Sequence, residues 1–239
     1  MKIKYSNLLW HGSLMGLLLV LLFPVVWMIT LSFKSSSQIV TQNPLDFWPS
    51  PWTLENFIYV WKGNNFISFT TNSLIIAFGV TLLKLTTGLL AAYGFSQFRF
   101  TGRKWLLGAY MLSMFIPFVT IMLPNYLLLS KLDLLNTYWA VILPQAADGM
   151  GVFLLYQTMR AIPKSILESA QLDGSSHMEI LLKIIIPVIR PAIFSLGIMS
   201  FINSWNEYFW PLLVLKGRDM YTLPIAHCIE SFCQCRRWY

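Results

Sequence analysis

The sequence predicts an all-α integral membrane protein, and three observations predict it. Of 239 residues, 56% are hydrophobic and 11% charged, and the mean hydropathy is +0.60. A soluble domain carries about a quarter charged residues, so this chain lacks the polar surface to coat a water-soluble globule. Its apolar residues fall in long runs, and most Lys and Arg stand at the ends of those runs, where positive charge orients a membrane protein. The formal net charge of +7 therefore reads as membrane orientation, not as a nucleic-acid surface. Trp10, Trp48, Trp52 and Trp61 lie at run edges and suit an interfacial aromatic belt.

Five spans are expected, over about 8–33, 67–95, 105–129, 134–156 and 184–215. The first follows Lys2 and Lys4 and superficially resembles a signal peptide. Its uncharged stretch from Leu14 to Phe33 approaches the ~20 residues that cross a bilayer. No small-residue cleavage site comes after it, so it reads as a retained anchor. A loop rich in Pro, Trp and Asn joins it to the second span. With the N-terminus in the cytoplasm, the inside segments hold Lys2, Lys4, Arg99, Arg103, Lys104, Arg160, Lys164, Lys183 and Arg190. Outside lie Lys34, Lys62, Lys131, Lys216 and Arg218, partly offset by Asp46, Glu55, Asp133 and Asp219. This bias predicts an N-in topology.

The segment 160–183 differs from a lipid-facing helix. Pro163 suits a helix start, and Ser165–Leu172 is amphipathic. Gly174 supplies the left-handed residue that ends a helix. Ser176 and Glu179 stand at capping-box spacing and begin another, and Pro187 and Pro191 limit or bend its continuation. The expectation is a helix, a sharp corner and a second helix, facing the cytoplasm.

Within that segment, Glu168-Ser169-Ala170, then Gly174, then Ile184, Ile186 and Pro187 resemble the EAA loop of ABC-importer permeases. The register is EAA, three residues, G, nine residues, I, any residue, L, P; Ser replaces the first Ala and Ile the final Leu. Ala161-Ile162-Pro163-Lys164, Leu172-Asp173-Gly174, Leu90–Phe95 with Phe98-Arg99-Phe100, and Ser204–Pro211 resemble carbohydrate importers of the maltose and glycerol-phosphate type. The likeness covers about 1–224. It implies the type I importer permease fold of six helices, alternating access, and a sugar or sugar-like solute passed across a bacterial cytoplasmic membrane. It also implies partners: a second, non-identical permease, an ABC ATPase dimer and an extracytoplasmic solute-binding protein.

By the same resemblance, Glu168, Ser169, Ala170, Asp173 and Gly174 form the ATPase-coupling segment. Small Ser169 and Ala170 allow close approach, Glu168 offers a charge-assisted hydrogen bond to a basic partner, and Gly174 makes the corner. The structural alternative is a mere connecting loop. The chain has no phosphate-cradling GxxxxGK[ST] loop, so no ATP chemistry, cofactor or enzyme activity of its own is expected. ATP would bind the partner subunits.

Lys84 lies in the middle of the second span, where a charge is expensive. Either it faces the pathway or a carboxylate, Asp148 or Glu207, or it snorkels from a shifted span. Asn203, Trp205, Asn206 and Glu207 either line the pathway or join helices by hydrogen bonds. Gly88, Ala91, Ala92 and Gly94 are packing positions. His227, Cys228, Cys233 and Cys235 match no metal-binding spacing, so no metal is expected.

After Pro224 the chain departs from the family. Residues 225–239 contain all three cysteines, Glu230 and paired Arg236-Arg237, too short and polar for a span. The sixth helix thus reads as missing, through a frameshift or truncation, with weakened assembly expected. The alternative function is accordingly a non-transporting membrane fragment.

Overall fold

A computed structural model describes residues 5–41, 46–63 and 65–235. Every regular element among them is helical. The chain forms two compact units, Met1–Ile67 and Ser68–Tyr239; the bend Arg99–Gly102 falls inside the second.

In the first unit, α1 (Tyr5–Ser32) holds a stretch, Trp10–Ser32, long and apolar enough to cross a membrane, and only 6% of its most apolar window is buried. Its large side chains face outward along its length: Trp10, Leu14, Leu19, Val20 and Phe23 are all exposed. A helix apolar on every side and covered on none needs lipid or protein around it. The connection over 34–65, expected as a loop, carries α2 (Ser36–Thr41) and α3 (Glu55–Gly63). Asn56 closes the end of α1, its amide donating to the Ser32 and Lys34 carbonyls at 3.0 and 2.7 Å. Aromatic rings gather there: Trp27 lies 5.6 Å from Phe47, and Phe33 lies 5.3 Å from Trp52. Lys34 is buried, its ammonium 5.6 Å from the Trp27 ring centroid and donating to the Asp46 carbonyl.

From Ser68 onward the second unit is formed first by α4 (Phe66–Gln97), 32 residues without a proline. Then come α5 (Arg103–Leu112), α6 (Phe118–Lys131), α7 (Tyr138–Ile142), α8 (Gly149–Arg160) and α9 (Lys164–Leu172). Next is a continuous helix, α10 (His177–Asn206), containing a π turn over Ile180–Ile185. Two short helices close the unit, α11 (Phe209–Val214) and α12 (Leu223–Cys235).

Among the described residues, three helices are long and apolar enough to span: Trp10–Ser32, Phe66–Gln97 and His177–Asn206. The third and fourth apolar segments are each broken in two. Arg103–Phe115 and Phe118–Lys131 meet at 101°, Tyr138–Gln145 and Gly149–Arg160 at 47°. Ile116 takes extended backbone, ψ 117°, because the residue before a proline is pushed out of the α region. Asp148 is likewise extended, ψ 103°, ahead of Gly149. Counting each bent pair as one gives up to five spans.

Two apolar cores hold the unit. One joins the end of α4 to α8, α9 and the start of α10 around Leu155, Met159 and Ile185. The other gathers Ile76, Val80, Val141, Trp210 and Val214, with the Trp210 indole N–H donating to the Ala140 carbonyl at 3.1 Å. Of the segment 225–239, Ile225 and Ala226 are buried in α12, and Cys228 is half-buried with a free thiol. The side chains of Glu230, Cys233 and Cys235, and all of Arg236–Tyr239, lie outside the described residues, as do Lys2 and Lys4.

Candidate functional site

The corner over 160–183 is built from α9 outward. Pro163 takes ψ 131° and starts the helix. Its apolar stripe turns Leu167 and Ala170, 5% and 9% exposed, into the core beside α8 and α10. Glu168, Ser169 and Asp173 stay exposed. Ala170 thus packs against its own chain, and the small outward residue is Ser169. The Glu168 carboxylate meets no hydrogen-bond or ion-pair partner among the described residues. Leu172 is 89% exposed, an apolar side chain left open at the helix end.

The end of α9 is a complete Schellman motif. Gly174 adopts φ +80°, its N–H donates to the Gln171 carbonyl at 3.1 Å, and the Ser175 N–H donates to Ala170 at 3.0 Å. Only a residue without a Cβ takes this backbone cheaply. The next helix opens on a capping box. The Glu179 N–H donates to Ser176 Oγ at 3.3 Å, and the Ser176 N–H donates to Glu179 Oε2 at 3.0 Å. Lys183 Nζ pairs with Glu179 Oε1 at 2.9 Å.

A clasp ties this corner to the end of α4. Tyr93 Oη lies 3.0 Å from His177 Nδ1, and the Phe98 ring centroid is 4.8 Å from the His177 ring. Sequence reasoning missed this contact, because residues 84 positions apart give no local signal. It also missed a cleft of about 800 Å³ between α9 and the α4–α5 turn, lined by Arg99, Arg103, Lys104, Arg160 and Lys164 with Glu168. Those cations were visible in the sequence only as orienting charge.

Within the spans, Lys84 Nζ lies 4.0 Å from Asp148 Oδ2, with side chains 18% and 25% exposed. Thr87 Oγ1 donates to the Ala146 carbonyl at 2.7 Å, joining α4 to the same break. A Cβ on Gly151 would stand 3.0 Å from Asp148 Oδ2 and 3.3 Å from Leu196 Cδ2, so a glycine there lets the carboxylate sit close to α10. Glu207 does not meet Lys84: its Oε1 accepts from the Phe209 and Trp210 N–H groups at 2.9 and 3.3 Å, capping α11. Asn206 donates to the Ile202 carbonyl of its own helix at 2.8 Å. Trp205 stacks on Phe201 at 6.0 Å and, with Asn206, borders a shallow cavity of about 230 Å³. Asn203 is exposed. These four therefore lie around the end of α10, apart from the Lys84–Asp148 pair. Among the described residues, no group of three or more His, Cys, Asp or Glu could hold a metal ion.

The chain matches the family of binding-protein-dependent transport system inner membrane components over residues 84–227. It is 35% identical over 206 residues to the arabinooligosaccharides transport system permease protein AraQ of Halalkalibacterium halodurans, covering 85% of this chain and 74% of that protein. It is 30% identical over 218 residues to the sn-glycerol-3-phosphate transport system permease protein UgpE of Yersinia pestis, covering 89% and 77%. It is 30% identical over 205 residues to the lactose transport system permease protein LacG of Rhizobium radiobacter, covering 86% and 74%. Among solved structures, a bacterial ABC transporter involved in the import of the acidic polysaccharide alginate matches with TM-score 0.83 at 22% identity, over 97% of this chain and 82% of that one. A bacterial alginate ABC transporter in complex with an alginate pentasaccharide-bound periplasmic protein matches with TM-score 0.64 at 19% identity, over 99% and 86%. At such identities the likeness is one of fold.

Proposed function

Since the chain belongs to the family of binding-protein-dependent transport system inner membrane components, we propose that it is the membrane-spanning permease subunit of an ATP-driven carbohydrate importer. Its relatives are transport permeases for arabinooligosaccharides, lactose and sn-glycerol-3-phosphate, which supports a sugar or sugar-like solute. The N-terminus lies in the cytoplasm, so that 160–183 faces the ATPase. Solute arrives from an extracytoplasmic binding protein and crosses between this chain and a second, non-identical permease by alternating access.

The observation that carries the coupling role is α9 itself. It is a short helix whose inner stripe is sunk in the core while the Glu168, Ser169 and Leu172 side chains are presented outward. An exposed Leu beside an unpaired carboxylate suits a groove with an apolar floor and a basic rim. The Schellman corner and the Tyr93–His177 clasp make α9 stiff against the ends of α4 and α10. Motion imposed on α9 is then passed to two spans. ATP binds and is hydrolysed on the partner, and this chain contributes displacement alone.

The test is co-purification. Expressed with its second permease and ATPase, the chain should retain the ATPase through detergent extraction. Glu168→Arg should lower the retained ATPase about ten-fold, as expected for losing a charge-assisted contact, while the permease pair stays intact. Retention of the ATPase by Glu168→Arg at the level of the unchanged chain would defeat the coupling assignment.

A further inference from the structure

The ionisable groups inside the spans bear on which carbohydrate is carried, an argument that rests on the permease reading above. Within the expected spans 8–33, 67–95, 105–129, 134–156 and 184–215, the Asp, Glu, Lys and Arg side chains are Lys84, Asp148, Arg190 and Glu207. Arg190 lies within two helical turns of Ile184, at the proposed cytoplasmic end, and Glu207 is committed to the backbone N–H groups of α11. Mid-span, only Lys84 and Asp148 remain, and they face each other at 4.0 Å.

Both side chains are partly open, 18% and 25%. An opening toward lipid would be costly for each charge even on the insertion scale. The open side therefore meets water or another protein, as a pathway wall does. The pair is neutral in sum and polar in detail. A solute hydroxyl can donate to the Asp148 carboxylate while another accepts from the Lys84 ammonium, and 4.0 Å leaves room for such a bridge. A carboxylate or phosphate approaching Lys84 meets Asp148 as well, and like charges placed together are strongly disfavoured away from bulk water.

We infer that the solute is a neutral, polyhydroxylated carbohydrate, selected against acidic and phosphorylated sugars by the Lys84–Asp148 pair. The chain's similarity to a glycerol-phosphate permease makes this a discriminating statement. In a chain using Lys84 to receive an anion, the ammonium would stand without a carboxylate beside it.

The experiment uses the complete importer in liposomes: this chain, the second permease, the ATPase and the binding protein. Uptake is compared for neutral pentose and hexose oligosaccharides and the same sugars oxidised to uronic acids, each normalised to its occupancy on the binding protein. The neutral sugar should enter about ten-fold faster, and Asp148→Asn should shrink that ratio to about two-fold as the repelling charge is lost. Equal entry of acidic sugars overturns the inference, and so does a ratio that Asp148→Asn leaves unchanged. Should Asp148→Asn fail to assemble, Lys84→Gln/Asp148→Asn removes both charges and is judged by the same ratio. If no sugar enters at all although the assembled complex hydrolyses ATP, the carbohydrate reading itself falls, an outcome distinct from a lost charge preference.

Discussion

The corner at 172–179 and the Lys84–Asp148 pair are both polar constructions, yet they are held by different means. At the corner nearly every contact is local: Gly174 to Gln171, Ser175 to Ala170, Ser176 to Glu179, Lys183 to Glu179. The Lys183 and Glu179 side chains are largely exposed, so backbone conformation fixes the geometry and the ion pair adds little. At the mid-span pair the partners stand on α4 and on the break before α8, 64 positions apart, within segments that are otherwise apolar. There a charge has few alternatives to its partner, so the pairing itself fixes the geometry. Loss of a surface charge should be tolerated, and loss of a mid-span charge should not.

The strongest way to break this contrast is Asp148→Leu. It leaves Lys84 unpaired and should cost about 2 kcal/mol of stability, less than for a fully buried pair because both side chains keep some exposure. The expected readout is a lower melting temperature of the detergent-extracted protein, recovered by adding Lys84→Met. A melting temperature unmoved by Asp148→Leu would mean that the pair does not hold the spans. Next comes Gly174→Val, which places a β-branched residue at φ +80° and should cost about 1–2 kcal/mol locally. The permease pair should still form, but the ATPase should be lost from it; an unaffected ATPase would show that the corner need not be rigid.

A smaller effect is expected of Tyr93→Phe, which removes one hydrogen bond at 3.0 Å to His177, worth about 1 kcal/mol. Complex formation should persist, while the stimulation of ATP hydrolysis by loaded binding protein should fall several-fold. Stimulation at the unaltered level would remove the clasp from the coupling route. The smallest is Lys183→Met: its partner Glu179 is held by Ser176 as well, and Lys183 is 73% exposed. Uptake should stay within assay scatter, and a clear loss would contradict the view that the corner is held by backbone geometry.

The same contrast explains what was legible in the sequence. Gly174, Ser176 and Glu179 announce the corner because capping and left-handed turns depend on residue type at short spacing. Five apolar segments were legible from composition. Their straightness was not: the 101° bend at Ile116–Pro117 is signalled only by one proline in an apolar run, and Pro124 and Pro191 lie within helices that continue through them. The partner of Lys84 stayed a choice between Asp148 and Glu207, because distance along the chain says nothing of distance across spans. Helices α2 and α3 were read as loop since each is too short to show a clear period. Ala170 read as an outward contact because one short helix does not announce which face its neighbours cover.

The π turn over Ile180–Ile185 has a consequence for insertions and deletions. A π turn accommodates one residue more than an α turn of the same hydrogen-bonded ladder. Removing a residue there lets the backbone relax to ordinary α geometry, and the downstream part of α10 keeps its azimuth. Removing a residue elsewhere in α10 turns everything beyond it by about 100°, carrying Leu196 and Ser204 off the buried face. The π turn is thus the one place in that helix where length and orientation are uncoupled.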